Sequence, residues 1–205
     1  LVFSGGFSAG DEPDGSAKFI VNVLKNEKMK EAVHQLLKRD GMILGICNGF
    51  QALVKSGLLP FGEIRDLDAN APTLAHNAIG RHISQMVNVK VVNDDSPWLK
   101  GMKDQTFTVP ISHGEGRFVA SEEVLTNLYK AGQIATQYVD FDGNIAHGMP
   151  FNPNNSLFGI EGITSLDGKI FGRMAHPERF SNGLIKNIPD ANYHNIFKNG
   201  VEYFQ

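Results

Sequence analysis

The only cysteine of the sequence, Cys47, stands in Gly41-Met42-Ile43-Leu44-Gly45-Ile46-Cys47-Asn48-Gly49-Phe50-Gln51. A thiolate attacks carbonyl carbon, whereas a free thiol of pKa ~8.5 is only a few per cent ionised at neutral pH. Such a residue therefore needs a device that lowers its pKa or takes its proton. Two devices are suggested by the sequence. The apolar run Met42–Ile46 has strand length, and Phe50, Leu53, Val54 and Leu58 follow at helical spacing, so Cys47 falls at a strand-to-helix elbow. Glycines at 45 and 49 remove side chains that would block it, as in the Gly-x-Ser-x-Gly nucleophile elbow. A helix amino end offers a partial positive charge and unpaired N–H groups, which favour thiolate and an oxyanion alike. Asn48 is the nearest donor. The plainer alternative, a small buried residue at a strand end, stays open on these residues alone.

The second device is His176-Pro177-Glu178. On an extended backbone, residues two apart project together, so Glu178 is expected to orient the His176 imidazole. Thiol, imidazole and carboxylate form a nucleophile, base and orienter. The two segments are far apart in sequence, and only the fold can join them. A surface turn is the competing account of His-Pro-Glu. Two further loops carry suitable groups. Ser4-Gly5-Gly6-Phe7-Ser8-Ala9-Gly10-Asp11-Glu12 follows the strand-like Leu1–Phe3, and N–H groups of Gly5, Gly6 or Phe7 could face an oxyanion; plain turn glycines explain it equally well. Ser112-His113-Gly114-Glu115-Gly116-Arg117-Phe118 is either a hairpin with surface charges or a pocket lining.

The elements that must position these groups alternate. Ala17–Leu24 and Met29–Leu37 have helical periodicity with a break at Asn26, and Lys38-Arg39-Asp40-Gly41 closes the second helix. With the strand before Cys47, the order is strand, helix, strand, helix, which predicts an α/β fold with an open, mainly parallel sheet flanked by helices. Residues 61–82 read as one long polar connection. Strands are expected over 83–92, 106–111, 133–139, 160–165 and 170–174, the last two joined at Asp167-Gly168, and Ser121 is expected to cap a short helix. Trp98 reads as a packing anchor.

The 205 residues, 41% apolar, suffice for one α/β domain spanning 1–205. A net charge of -3 gives no footprint for nucleic acid, and no apolar run is long enough for a membrane span. No stretch of these residues reads as a signal peptide, and a single cysteine allows no internal disulfide, so a cytoplasmic protein is expected. Neither a His-x-x-x-His pair nor a cysteine pair exists for a metal hydrolase, and the glycine loop lacks both phosphate-binding spacings. The opening Leu1-Val2-Phe3 reads as a chain that starts inside a buried strand.

Gly45-Ile46-Cys47-Asn48-Gly49-Phe50-Gln51 with His176-Pro177-Glu178 resembles the class I (triad) glutamine amidotransferases. Gly5-Gly6-Phe7-Ser8-Ala9-Gly10-Asp11, Asn77-Ala78-Ile79-Gly80-Arg81-His82 and His113–Phe118 narrow the resemblance to the glutaminase domains of phosphoribosylformylglycinamidine synthases, which act in purine biosynthesis. It implies the flavodoxin-like amidotransferase fold, incomplete at the amino terminus because family members carry a strand-helix-strand region before the Gly-Gly-Phe loop. It implies that Cys47 forms a γ-glutamyl thioester and releases ammonia, with His176 as base and acid and Glu178 as its orienter. Gly6, Phe7 and Asn48 would bind the oxyanion, Gln51 would help hold glutamine, and Ser112, His113 and Gly114 would meet its amino-acid end. The ammonia would pass to a synthetase domain, in the same chain or separate, which uses ATP and magnesium; no cofactor is implied in this domain. Protecting ammonia from protonation requires a partner surface near the elbow, expected around 66–82 with Asn77 and Arg81. Other triad glutaminases (for guanylate, cytidylate or carbamoyl phosphate), a related cysteine hydrolase and an inactive docking module are the alternatives.

Overall fold

The computed structural model describes residues 1–7, 11, 15–181, 183–188 and 192–205. Strand β1 (Val2–Phe3) leads through the glycine loop to helices α1 (Lys18–Leu24) and α2 (Glu27–Lys38). Asn26 separates them by capping α2, its side chain accepting from the Lys28 N–H. Strand β2 (Ile43–Ile46) and helix α3 (Asn48–Ser56) follow, then the single turn α4 (Leu58–Phe61). Strands β3 (Thr73–His76), β4 (Ile83–Val91), β5 (Thr106–His113) and β6 (Glu115–Val119) precede helix α5 (Glu122–Lys130), which Ser121 caps through the Val124 N–H. Strands β7 (Ile134–Val139), β8 (Ile160–Thr164) and β9 (Ile170–Arg173) and helix α6 (Ile196–Glu202) complete the chain. In the glycine loop, Ser8, Ala9, Gly10 and Glu12 lie outside the described residues.

Seven strands form one sheet in the order β1-β2-β9-β8-β7-β4-β5. The α/β class is as expected, but the sheet is mixed rather than mainly parallel. Only the β1–β2 and β2–β9 pairings are parallel; the other four are antiparallel. The reason is connection length. The α1–α2 crossover permits parallel pairing, whereas β8 and β9 are joined by a tight turn that does not. The polar stretches read as loops hold further structure. β3 and β6 pair antiparallel as a separate two-stranded sheet, and β3 packs on α3. Trp98 is buried as expected, donating from its indole N–H to the Lys169 carbonyl and packing against Gly200 of α6.

This topology brings the two distant segments together. β2, ending at Cys47, lies beside β9, which runs on to His176. The parallel register sets Ile46 opposite Arg173, so both strands deliver their chemistry to the same sheet edge.

Candidate active site

Cys47 sits on a bend in which the strand has ended and the helix has not begun. Its N–H donates to the Arg173 carbonyl (2.8 Å), and its carbonyl accepts from the Gln51 N–H (3.0 Å), the first closed turn of α3. Its φ of 52° and ψ of −107° hold a non-glycine residue in a sparsely populated region, a strain of ~1–3 kcal/mol that such elbows store at functional positions. Both bracketing glycines are required by contact. A Cβ on Gly45 would stand 2.5 Å from Leu53, and one on Gly49 would stand 2.0 Å from the Phe3 carbonyl oxygen.

The His176 Nδ1 is 2.6 Å from the Glu178 carboxylate. The Nδ1–H therefore donates to Glu178, which leaves Nε2 as a buried acceptor with no protein partner. The pair does not arise on an extended strand as expected. β9 has already ended, and Pro177–Arg179 form a 3-10 turn that folds the carboxylate back onto the ring. His176 is anchored by its own N–H to the Pro110 carbonyl (2.9 Å). Burial pushes the Glu178 carboxyl up, but the hydrogen bond and the charge of His176 outweigh it and hold the pKa below the usual value.

Gly5 shows how closely base and thiol approach. A Cβ placed there would lie 2.7 Å from His176 Cε1 and 3.2 Å from Cys47 Cβ, so the bare glycine separates the two. The Asn48 and Gly6 N–H groups hydrogen-bond the sulfur and lower its pKa, but burial overrides them and pushes the thiol up to about 11. The expectation of a thiol pKa lowered by the helix end is thereby corrected: desolvation of the thiolate is larger than what two N–H groups return. The thiol instead points its hydrogen at the Ser112 carbonyl, 3.7 Å away.

The remaining expected residues divide. Asn48 and Gly6 are placed at the sulfur, whereas the exposed ring of Phe7 turns toward His82, 6.4 Å between centroids. Gln51 is buried beside the elbow, and its amide donates to the Glu115 carbonyl (2.5 Å), tying α3 to β6. The Ser112 hydroxyl meets His82 Nε2 at 3.0 Å. His113 is buried, its Nδ1 held by Asn77 Oδ1 at 3.0 Å. Burial, aided by the nearby His82 and His176, lowers its pKa to about 4, so it is neutral and presents an unpartnered Nε2 acceptor. Gly114 joins the two sheets, its carbonyl accepting from the Asn77 N–H.

Asn77 is not a partner-facing residue. It is 2% exposed and its amide nitrogen donates to the Arg81 and His113 carbonyls at 3.1 and 2.8 Å. The residues that follow it, Ala78 to His82, are all exposed, Ile79 and Arg81 among them. Glu115, read from sequence only as one charge of the Ser112–Phe118 loop, has a carboxylate that accepts from the Ser16 N–H and hydroxyl and pairs with Lys55; sequence reasoning did not foresee these partners. Asp11, which accepts from the Asn48 amide at 3.1 Å, and the buried pair Glu161–Arg173 were missed as well. The signal for that pair was present, since each is a lone charge inside an apolar strand. Among the described residues no cluster of His, Cys, Asp or Glu suits a metal ion, and no helix is long and apolar enough to cross a membrane.

Residues 1–204 match the CobB/CobQ-like glutamine amidotransferase domain. A Methanococcus maripaludis protein named phosphoribosylformylglycinamidine synthase subunit PurQ is 36% identical over 224 residues, spanning 100% of this chain and 80% of that one. The Dictyostelium discoideum phosphoribosylformylglycinamidine synthase is 36% identical over 181 residues, 87% of this chain but only 13% of its own length. Among solved structures, one titled PurLQS from Thermotoga maritima superposes with a TM-score of 0.72 at 26% identity, covering 100% of this chain and 80% of that chain. An elbow cysteine facing an oriented histidine, on this sheet and with this kinship, leads to one conclusion: the chain belongs to the CobB/CobQ-like glutamine amidotransferase family.

Proposed function

We propose that the chain is the glutaminase part of a phosphoribosylformylglycinamidine synthase and hydrolyses glutamine through a Cys47 thioester. In this reading His176 Nε2 takes the thiol proton as sulfur attacks the side-chain amide carbon of glutamine. The oxyanion is met by the Asn48 and Gly6 N–H groups, with that of Phe7 as a third donor. The imidazolium, steadied by ionised Glu178, returns its proton to nitrogen; the C–N bond breaks and ammonia leaves. Water then attacks the thioester with His176 again as base, releasing glutamate and restoring the thiol. Gln51, Ser112, His113 and Gly114 line the site for glutamine, and the free Nε2 of His113 offers an acceptor to a donor on the amino acid.

The ammonia serves the ATP-dependent amidation of formylglycinamide ribonucleotide by a synthetase, a separate subunit or part of a longer chain, as the names of the two kinds of relative suggest. ATP and magnesium belong to that partner, and the setting is cytoplasmic. The observation that carries the reading is the meeting of Cys47 and His176 across Gly5, with the base's Nε2 free and its Nδ1 bound.

Glutamate release, measured with and without a purified synthetase subunit, tests it. The chain is expected to turn over glutamine, faster with the partner, and Cys47→Ala is expected to abolish release in both. Glutamate release surviving in Cys47→Ala would end the thioester reading. The burial of the sulfur favours one second reading, a docking module without chemistry; it would show Cys47 alkylated by a glutamine-like chloroketone no faster than by iodoacetamide.

A further inference from the structure

Directly beneath the triad lies a group of buried charges that the thioester chemistry does not use. Glu161 on β8 and Arg173 on β9 are both 0% exposed, with Arg173 Nε 3.2 Å from Glu161 Oε1. The second carboxylate oxygen accepts from the Thr136 hydroxyl (2.6 Å). Arg173 also donates from its NH1 group to His194 Nε2 (2.7 Å), and the His194 ring lies 4.3 Å from that of Phe107. Two nitrogens of the cluster, the Arg173 NH2 group and His194 Nδ1, have no partner.

For stability such a cluster is a poor choice. Removing two charges from water costs more than the pair returns unless every donor and acceptor is satisfied, and apolar replacements of similar volume are often no worse. Its connections point elsewhere. Glu161 Oε1 accepts from the Ala175 N–H at 2.7 Å, the residue immediately before His176. Ala175 lies past the end of β9, where no ladder partner holds it. The Arg173 carbonyl in turn accepts from the Cys47 N–H at 2.8 Å. One side chain pair therefore grips the backbone behind the base, and its arginine is the residue against which the nucleophile's backbone rests.

We propose that Glu161, held in place by Arg173 and His194, is a positioning residue of the triad. Its carboxylate oxygen on the Ala175 N–H fixes the chain end that presents His176, and through Arg173 the same cluster fixes the Cys47 elbow. The inference rests on the glutaminase reading, and it separates the acceptor oxygen, which positions, from the charge, which does not. Misplacing a base by about 1 Å costs up to ~100-fold in rate.

Two variants test it in opposite directions. Glu161→Leu combined with Arg173→Met removes the acceptor and leaves no unpaired charge; Glu161→Gln keeps an oxygen for Ala175 but gives up the ion pair. The double variant is expected to remain folded and to lose about 10- to 100-fold in kcat at nearly unchanged KM. Glu161→Gln is expected to melt at lower temperature yet keep kcat within about threefold of the parent. A folded double variant with parental kcat overturns the proposal, as does a folded Glu161→Gln that loses tenfold or more. If the double variant fails to fold, Glu161→Gln alone decides. Cys47 is the only cysteine, so its alkylation by iodoacetamide reads the thiol without glutamine. Slower alkylation in the double variant, with parental alkylation in Glu161→Gln, supports positioning even if the parent releases no glutamate, a result that would sink the glutaminase reading alone.

Discussion

Adding one methyl group at Gly5 probes the site more directly than removing a triad member, because it changes distance and leaves the chemistry intact. The new Cβ of Gly5→Ala would stand 2.7 Å from His176 Cε1, where ordinary contact begins at 3.4 Å. Something must therefore retreat by about 0.7 Å, on a repulsive wall too steep to absorb it. Cys47 Cβ, 3.2 Å away, sits on an elbow already at φ 52° with its N–H and carbonyl both committed. The His176 ring is buried, tied to Glu178 at 2.6 Å and by its backbone to Pro110. If the ring moves, it leaves the thiol or loosens the carboxylate. If the loop moves instead, it carries the Gly6 N–H away from the sulfur. In every case thiol, base and donor cease to converge. A displacement of that size corresponds to a loss of roughly 10- to 100-fold in kcat, about 1.4–2.7 kcal/mol in the barrier, with KM little changed. Coupled detection of glutamate under saturating glutamine measures it, with near-UV circular dichroism to confirm the folded fraction. A fully folded Gly5→Ala protein with kcat within about twofold of the parent would refute the claim that this glycine spaces the base from the nucleophile.

Two pH experiments follow. His113 takes up a proton at about 4 in the fold but near 6.5 when unfolded, so the unfolded state binds more protons between those values and stability is lost as pH falls from 6.5 to 4. The loss reaches ~3 kcal/mol at full effect; urea unfolding at pH 7, 5.5 and 4 should show a flatter profile for His113→Gln than for the parent, and identical slopes would contradict the assignment. Because burial pushes the Cys47 thiol up to about 11, its alkylation by iodoacetamide should keep rising through pH 9; a plateau reached by pH 8 would mean an activated thiolate at rest.

How much of this was readable in the residues depended on range. The elbow was, because a short apolar run, bracketing glycines and helical spacing all lie within one stretch of sequence, and so were the caps at Asn26 and Ser121, whose partners lie two or three positions on; that Gly49 also makes room for the distant Phe3 carbonyl was not. Strands β3 and β6 were not. Thr73–His76 and Glu115–Val119 look like polar loop because each finds its ladder only in the other, some forty residues distant. Polar residues there are explained by partners equally remote, Glu115 by Ser16 and Lys55, and Asn77 by His113. The exposed reading of Asn77 failed for that reason: an asparagine serving main-chain carbonyls looks like any loop asparagine until the carbonyls arrive. Glu161 and Arg173 were nearer to hand. The Asp167-Gly168 turn sets β8 against β9, and Gly162 opposite Arg173 puts the glutamate one residue from the arginine's rung. Two opposite charges in adjoining apolar strands already implied a buried pair.

The protonated thiol is the feature that best separates this site from one that stores a reactive thiolate. A pKa of about 11 leaves only on the order of one sulfur in ten thousand ionised at pH 7, an upward cost of about 5 kcal/mol for ionisation to water. Transfer to His176 is a different process, since it creates a thiolate and an imidazolium side by side. The low-dielectric surroundings that penalise an isolated thiolate strengthen the attraction within such a pair. Glu178 is set for that state: its carboxyl is held below the usual range by His176, so it stays ionised and can stabilise the imidazolium. The Asn48 and Gly6 N–H groups already rest on the sulfur, and they become available to an oxyanion as negative charge passes from sulfur to oxygen. In the resting geometry the thiol hydrogen is directed to the Ser112 carbonyl, and His176 Nε2 has no partner. In the proposed glutaminase reaction, a substrate amide held at the sulfur would compete for that carbonyl with its own N–H groups. Arrival of substrate would then free the thiol hydrogen, so that the nucleophile forms where and when an amide is present to receive it.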